Sequence, residues 1–232
     1  MIDPLVCINN LDINYNGISV FQKLNLNIYS NEIVALMGRS GCGKTSLLNA
    51  VANFIPYQGT IQKPDNISMI FQDDTLYPWL NVAQNIKLAL RSNHKNNLLL
   101  VNEYLEIINL KTFKKKYPFE LSGGQKQRIS VARAFINNPD LVLMDEPFSA
   151  LDVFTKEEIQ NWLYNFWQDY QTSVVFVTHD IEEAILLADR IIFLSSKYFL
   201  QEIKNPFSNR KDFNIKYSKK FLDFKKNIRN II

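Results

Sequence analysis

The sequence predicts an α/β fold: a mostly parallel sheet covered by helices, preceded by a small antiparallel β unit and interrupted by an inserted helical segment. Three observations lead there. Short apolar runs at Ile33–Met37, Ile67–Phe71, Leu141–Met144, Val174–Val177 and Ile191–Leu194 alternate with longer helical stretches. Ser68 is the only polar member of those runs, and strands this apolar suit a sheet buried on both faces. A glycine-rich loop, Gly38-Arg-Ser-Gly-Cys-Gly-Lys-Thr45, leaves the first run and opens a helix, which is the setting of a phosphate-binding turn.

The elements follow in order. Up to about residue 30, apolar and polar residues alternate around the turns Asn9-Asn10 and Asn16-Gly17, a pattern of antiparallel strands. Helices are expected over Thr45–Ala52, Val82–Leu90, Leu98–Ile108, Gly124–Asn137, Glu157–Gln168 and Asp180–Asp189. In the last of these, Ile181, Ala184, Ile185 and Ala188 form one apolar stripe. Residues 78–137 are too long for a simple crossover and read as an inserted helical subdomain. The expectation is a single domain over 1–232. Residues 1–77 and 138–196 form its core with the antiparallel β subdomain, 78–137 the helical subdomain and 197–232 a basic C-terminal helical tail.

Composition narrows the function classes. A chain with 47% hydrophobic and 21% charged residues is folded rather than disordered. Its uninterrupted apolar runs reach only five residues, at Ile33–Met37 and Ala184–Ala188, against the roughly 18 a bilayer span requires. No secretory signal is visible at Met1-Ile-Asp-Pro. The two cysteines, Cys7 and Cys42, have no zinc-site spacing and fit a reducing compartment. The net charge of +3 is unevenly spread, because residues 197–232 hold ten Lys and Arg against three Asp and Glu. Such a segment can meet nucleic acid or an anionic membrane, or be a solvated helix face. Within it Phe213, Tyr217, Phe221, Phe224, Ile228 and Ile231 fall on one helical face, with Lys216, Lys219, Lys220, Lys225, Lys226 and Arg229 largely off it. The apolar face is expected to pack on the protein's own core, with insertion into lipid as the alternative.

The phosphate loop, from Gly38 through Arg39, Ser40, Gly41, Cys42, Gly43, Lys44 and Thr45 to Ser46, carries the first piece of chemistry. Its glycines let the backbone curl until successive N–H groups point inward, and the helix N-terminus adds its positive end. Lys44 is placed to reach β- and γ-phosphates, and the Thr45 hydroxyl to bind Mg²⁺. The strand Leu141–Met144 runs into adjacent carboxylates: Asp145 is expected in the magnesium's outer shell, and Glu146, on the opposite side of the backbone, as general base. Leu121-Ser-Gly-Gly-Gln125 precedes a helix and makes a second anion-ready N-terminus from Ser122, Gly123, Gly124 and Gln125. One nucleotide has one γ-phosphate, already taken by the lysine loop. The second set is either an ordinary N-cap turn or, if it is a phosphate site, one that serves a nucleotide held by another copy, which predicts a head-to-tail dimer.

These segments, with Ser149-Ala-Leu-Asp152 and Val177-Thr-His179-Asp180, stand in the order and spacing of the ATP-binding subunits of ABC transporters, which the chain resembles over about residues 5–196. The resemblance implies a P-loop NTPase fold of ABC type, with ATP and Mg²⁺ bound and ATP hydrolysed. It implies Gln72 as the magnesium- and water-sensing glutamine, His179 as the switch residue on the γ-phosphate, and Ser149 to Asp152 as the loop joining two protomers. Tyr15 would stack on adenine with Val20 beside it. Without an apolar span the permease must be a separate subunit. The implied place is the cytoplasmic face of the membrane, with an extracytoplasmic substrate-binding protein as an indirect partner and no nucleic acid. Three phrases resemble the nitrate/sulfonate/taurine branch of importers, which includes importers of thiamine-precursor pyrimidines: Phe71-Gln-Asp-Asp-Thr-Leu-Tyr-Pro-Trp-Leu80, Glu146-Pro-Phe-Ser-Ala-Leu-Asp152 and Thr178-His-Asp-Ile-Glu-Glu-Ala184. The alternative is a soluble ABC ATPase acting on ribosome or DNA through the basic tail; such proteins usually carry two ATPase cores or a long coiled-coil insertion, and neither is present. Tyr77 and Trp79 are either anchors for a permease helix or packing for the helical subdomain. Asn53 stands where relatives often have glycine, and a left-handed cap is expected there.

Because Cys42 lies within the phosphate loop, alkylating it is expected to abolish ATP turnover and bound ATP is expected to protect it. Full turnover by protein alkylated at Cys42, measured by mass spectrometry and phosphate release, contradicts the loop assignment.

Overall fold

A computed structural model describes residues 3–15, 17–72, 76–90, 97–194, 200–208 and 213–230. Strands β1 (Val6–Tyr15) and β2 (Ile18–Ile28) form an antiparallel hairpin that pairs Val6 with Ile28 and Tyr15 with Ile18. Next, β3 (Ile33–Gly38) feeds the phosphate loop into α1 (Lys44–Val51). That helix ends at Asn53, whose φ of 61° is the left-handed conformation asparagine tolerates best after glycine. Strand β4 (Gln58–Gln62) pairs with β1 and completes a three-stranded antiparallel sheet.

After β5 (Ile67–Ile70) the chain turns helical, with α2 (Val82–Leu88), α3 (Asn97–Ile107) and α4 (Gly123–Phe135), and two 3₁₀ turns, at Lys111–Phe113 and Pro118–Glu120, lie between α3 and α4. Alternation then resumes through β6 (Leu141–Asp145), α5 (Val153–Tyr170), β7 (Ser173–Val177), α6 (Ile181–Leu187) and β8 (Arg190–Leu194). The described tail comprises β9 (Leu200–Lys204), a 3₁₀ turn at Phe213–Tyr217 and α7 (Lys219–Arg229). The larger sheet has the order β5-β6-β7-β3-β8-β9; all neighbours are parallel except β9, which runs antiparallel to β8.

Strand β9 corrects the expectation of a purely helical tail. Leu200-Gln-Glu-Ile-Lys204 has apolar residues three apart, a spacing that does not alternate, and its pairing with Arg190–Leu194 decides the conformation. The single apolar face expected over 213–231 is likewise divided. Ser218 breaks it by capping α7, its hydroxyl accepting from Phe221 N at 3.2 Å, and Tyr217 is left 71% exposed. Ile231 lies outside the described residues.

Burial on both sheet faces follows from strand alternation. Val34 and Leu36 of β3 join one core layer with Leu47, Leu48 and Val51 of α1 and with Ile8, Leu11 and Leu24 of the antiparallel sheet. Ile33, Ala35 and Met37 face the other layer, with Ile129, Phe135, Leu163, Trp167 and Ile185 from α4, α5 and α6. Phe213, Phe221 and Ile228 of the tail complete that second layer. The tail is also clamped from outside, by Lys216 to Glu157 at 2.7 Å and Lys225 to Glu182 at 2.5 Å.

Since Phe221 is fully buried, Phe221→Ala is expected to destabilise the protein by about 3–5 kcal/mol. Tyr217→Ala, at an exposed position, is expected to change stability by less than about 0.5 kcal/mol. Urea unfolding of the two variants checks whether the tail is part of the core.

Candidate active site

A cleft of about 540 Å³ opens where β3, β5, β6 and β7 end, the edge at which parallel α/β sheets place their ligands. Its floor is the phosphate loop. Gly38 and Gly43 have φ of 151° and 100°, and a Cβ on Gly43 would lie 2.5 Å from Val20 Cγ1. Only glycine allows the loop to approach β2 so closely. Gly41, Lys44, Thr45 and Ser46 line the cleft with Val20, Gly38, Ser40 and Gly43. Lys44, buried at 8% exposure, turns its ammonium back over the loop and donates to the carbonyls of Gly38 at 2.9 Å and Arg39 at 3.1 Å. Cys42 is half-buried, and its Sγ would lie 2.7 Å from a Cβ on Gly38.

The wall comes from the neighbouring strand ends. Thr45 Oγ1 donates to Asp145 Oδ1 at 3.1 Å. Burial holds the Asp145 carboxyl above its ordinary pKa, the Thr45 hydrogen bond works the other way, and the charge of Glu146 adds to the rise while Lys44 opposes it. The chain then turns sharply, with Glu146 at φ 45°, a left-handed conformation that costs a non-glycine residue about 1–3 kcal/mol. Its carboxylate enters the cleft. Gln72 Nε2 donates to Glu146 Oε2 at 3.4 Å, and His179 Nδ1 lies 3.5 Å from the same oxygen. The His179 side chain is 70% exposed.

Gln72, Glu146, His179, Val20 and the loop residues apart from Arg39 and Cys42 are thus brought together as expected, and Asp145 stands directly behind Thr45. Tyr15 ends β1, and its side chain lies outside the described residues. The other expected residues do not line this cleft. Ser122, Gly123, Gly124 and Gln125 form the start of α4. Ser122 Oγ accepts from Gln125 N at 3.3 Å and Gln125 Oε1 accepts from Ser122 N at 3.0 Å, a reciprocal cap. A Cβ on Gly124 would meet Thr155 Cγ2 at 2.7 Å, so α4 sits tightly on α5. Ser149 Oγ donates to the Glu146 carbonyl at 2.9 Å, and Asp152 caps α5 through Phe154 N and Thr155 N.

Two features of the surroundings depend on tertiary contacts that sequence spacing does not show. A second cavity of about 520 Å³ adjoins His179 and is lined by Leu222, Lys225, Lys226 and Arg229 of α7. The periodicity of the tail shows a helix but not where it docks. Asn85, fully buried, ties down the loop after β5: its Nδ2 donates to the carbonyls of Tyr77 and Leu80 at 3.1 and 2.9 Å, and its Oδ1 accepts from Tyr77 N at 2.8 Å. The loop presents Trp79, 69% exposed, in ring contact with Tyr77, and Arg133 lies over the Tyr77 ring.

The family model described as "ABC transporter" matches residues 21–149. The taurine import ATP-binding protein TauB of Escherichia coli K12 is 39% identical over 201 residues, covering 82% of this chain and 79% of TauB. Among solved structures, a dimeric post-hydrolysis state of the ATP-binding cassette MJ0796 bound to ADP and Pi superposes with a TM-score of 0.72 at 31% identity, covering 86% of this chain and 98% of that one. The fold is also that of cbiO1 from Clostridium perfringens, with a TM-score of 0.81, 23% identity and coverage of 98% and 96%. With its glycine-rich loop, Gln72, Glu146 and His179 lining one cleft, the chain belongs to the ABC transporter family as an ATP-binding, ATP-hydrolysing cassette.

Proposed function

We propose that two copies close head to tail around two ATP molecules, each nucleotide lying between Gly38–Ser46 of one chain and Ser122–Gln125 of the other. In this reading Ser149 and Asp152 line the seam between the copies, and closure drives a separate permease that imports a small solute. The observation that carries it is the convergence of Gln72 and His179 on one carboxylate oxygen of Glu146, at 3.4 and 3.5 Å, at the mouth of the phosphate cleft. The absence of Ser122–Gln125 from that cleft supports the need for a second copy.

Glu146 acts as general base, taking a proton from the attacking water. His179 holds the γ-phosphate, Gln72 orients the water, and Lys44 exchanges its loop carbonyls for the β- and γ-phosphates. The side chains beside the loop fit Mg²⁺: Thr45 offers a hydroxyl, Asp145 a carboxylate and Gln72 an amide oxygen. Among the described residues no cluster of three or more His, Cys, Asp or Glu forms an all-protein cage, and Mg²⁺ characteristically takes few protein ligands beside substrate phosphates. Bound there by Thr45, Asp145 and Gln72, such an ion would supply neutralisation of phosphate charge.

The chain works as one ATPase domain, with 78–137 as the signature subdomain on a core of 1–77 and 138–196, and 197–232 as its tail. It lies at the cytoplasmic face of the membrane, held there by the permease, and a substrate-binding protein delivers the solute from the other side. Tyr77 and Trp79 offer the permease an exposed aromatic surface on a braced loop. Similarity to taurine import proteins supports a small sulfonate as the solute. The tail's apolar face is used within the core and two of its lysines are paired, which favours a structural part for it over a nucleic-acid arm.

Glu146→Gln is expected to retain ATP binding while turnover falls by about 10²–10⁴-fold, and to elute as an ATP-dependent dimer in gel filtration. Wild-type turnover by Glu146→Gln would remove Glu146 from the role of base.

A further inference from the structure

Lys156 lies one helical turn into α5, and its backbone N–H donates to Asp152 O at 2.8 Å. Its ammonium leaves α5 altogether. Nζ stands 2.5 Å from Glu183 Oε1 and 3.0 Å from Asp180 Oδ2, at the start of α6. The other oxygen of Glu183 accepts from the Thr178 hydroxyl, and the same hydroxyl accepts from Asp180 N at 3.0 Å. Both neighbours of His179 are therefore held in one network, whose far end is the first turn of α5, capped by Asp152.

This network differs from the exposed pairs of the chain. The Glu183 side chain is 7% exposed and Lys156 26%, whereas Lys111 and Glu106 stand at 70% and 57%. Burial pushes the Glu183 carboxyl up against the pull of Lys156 and Thr178. Burial likewise works against the Lys156 ammonium, yet its bonds to Glu183 and Asp180 more than offset this and leave its pKa raised. A buried ion pair is seldom worth more to stability than apolar residues of the same shape. What it fixes is direction, since breaking either partner leaves a buried charge uncompensated.

We propose that Lys156 and Glu183 are positioning residues that tie the Ser149–Asp152 loop to His179 of the same chain, and so couple the two nucleotide sites of the dimer. The inference rests on the head-to-tail reading above, in which each chain's His179 serves its own nucleotide while its Ser149–Asp152 loop faces the partner's. A shift of that loop as the partner's nucleotide binds or is cleaved moves the first turn of α5. Lys156 carries the shift to Asp180 and Glu183, and Glu183 to Thr178, which brackets the switch histidine.

The test uses the full-length chain, with ATPase rate measured against ATP concentration for wild type, Lys156→Met, Lys156→Arg, Glu183→Gln and His179→Ala. Binding is followed with trinitrophenyl-ATP. Lys156→Met and Glu183→Gln are expected to bind the probe within about twofold of wild type, while the Hill coefficient falls from about 2 towards about 1 and kcat drops about tenfold to a hundredfold. Lys156→Arg, whose fork spans two carboxylates, is expected to restore both quantities. A wild-type Hill coefficient and kcat in Lys156→Met overturns the coupling. Should Lys156→Met not fold, Glu183→Gln, of the same shape as the native residue, decides by the same criteria. His179→Ala separates the two readings: full turnover there overturns the site assignment together with the coupling. Its inactivity beside wild-type behaviour of Lys156→Met and Glu183→Gln overturns the coupling alone.

Discussion

The constraint on which the rest depends is the confinement of β3. It lies between β7 and β8, its alternate side chains fill the two core layers, and it has no free edge or face. A strand held on four sides can leave the sheet only at its end, and it does so at Gly38, where a side chain would lie 2.3 Å from the Leu194 carbonyl. The backbone is thereby turned out of the sheet and immediately into a helix, α1, with its first N–H groups facing the turn. The main-chain donors proposed to hold a polyphosphate are thus placed by the packing of the core. The same packing places Asp145 of β6 within reach of Thr45 of α1.

Much of this was legible in the sequence because the informative features are local. Apolar runs of four or five residues gave the parallel strands, the loop spacing gave the glycine-rich turn between β3 and α1, and Asn53 gave the end of α1. What could not be read depends on residues far apart in the chain. Strand β9 exists because β8 offers an edge, although its own residues do not alternate. The reach of Lys156 from α5 to α6, and of α7 to the flank of His179, are facts of topology with no signature in spacing. Glu146 falls between these cases. Its carboxylate was expected at a strand end, but the left-handed turn that swings it into the cleft is a strain visible only in three dimensions.

The charge distribution also reads differently once folded. The lysines of the tail are partly matched by acidic residues of α5 and α6, with Lys216 on Glu157 and Lys225 on Glu182, and Arg128 of α4 reaches Glu158. Exposed pairs of this kind contribute little individually. Their arrangement nevertheless shows that the tail's positive excess is turned inward as well as outward, against helices α5 and α6.

The strand order has a metric consequence. Ile70 pairs with Met144, Asp145 with Val177, and Val177 with Leu36, so Gln72, Glu146, His179 and the phosphate loop leave the sheet in a row. Neighbouring strands are separated by about 4.8 Å, a spacing that no side-chain substitution alters. The hydrogen-bond ladder is in effect a ruler laid along the mouth of the cleft, and each of these groups occupies one division of it. A slip of β6 by one residue would exchange the faces to which Asp145 and Glu146 point. The division of labour proposed for those carboxylates would therefore be set by register, the most heavily buried property of the molecule.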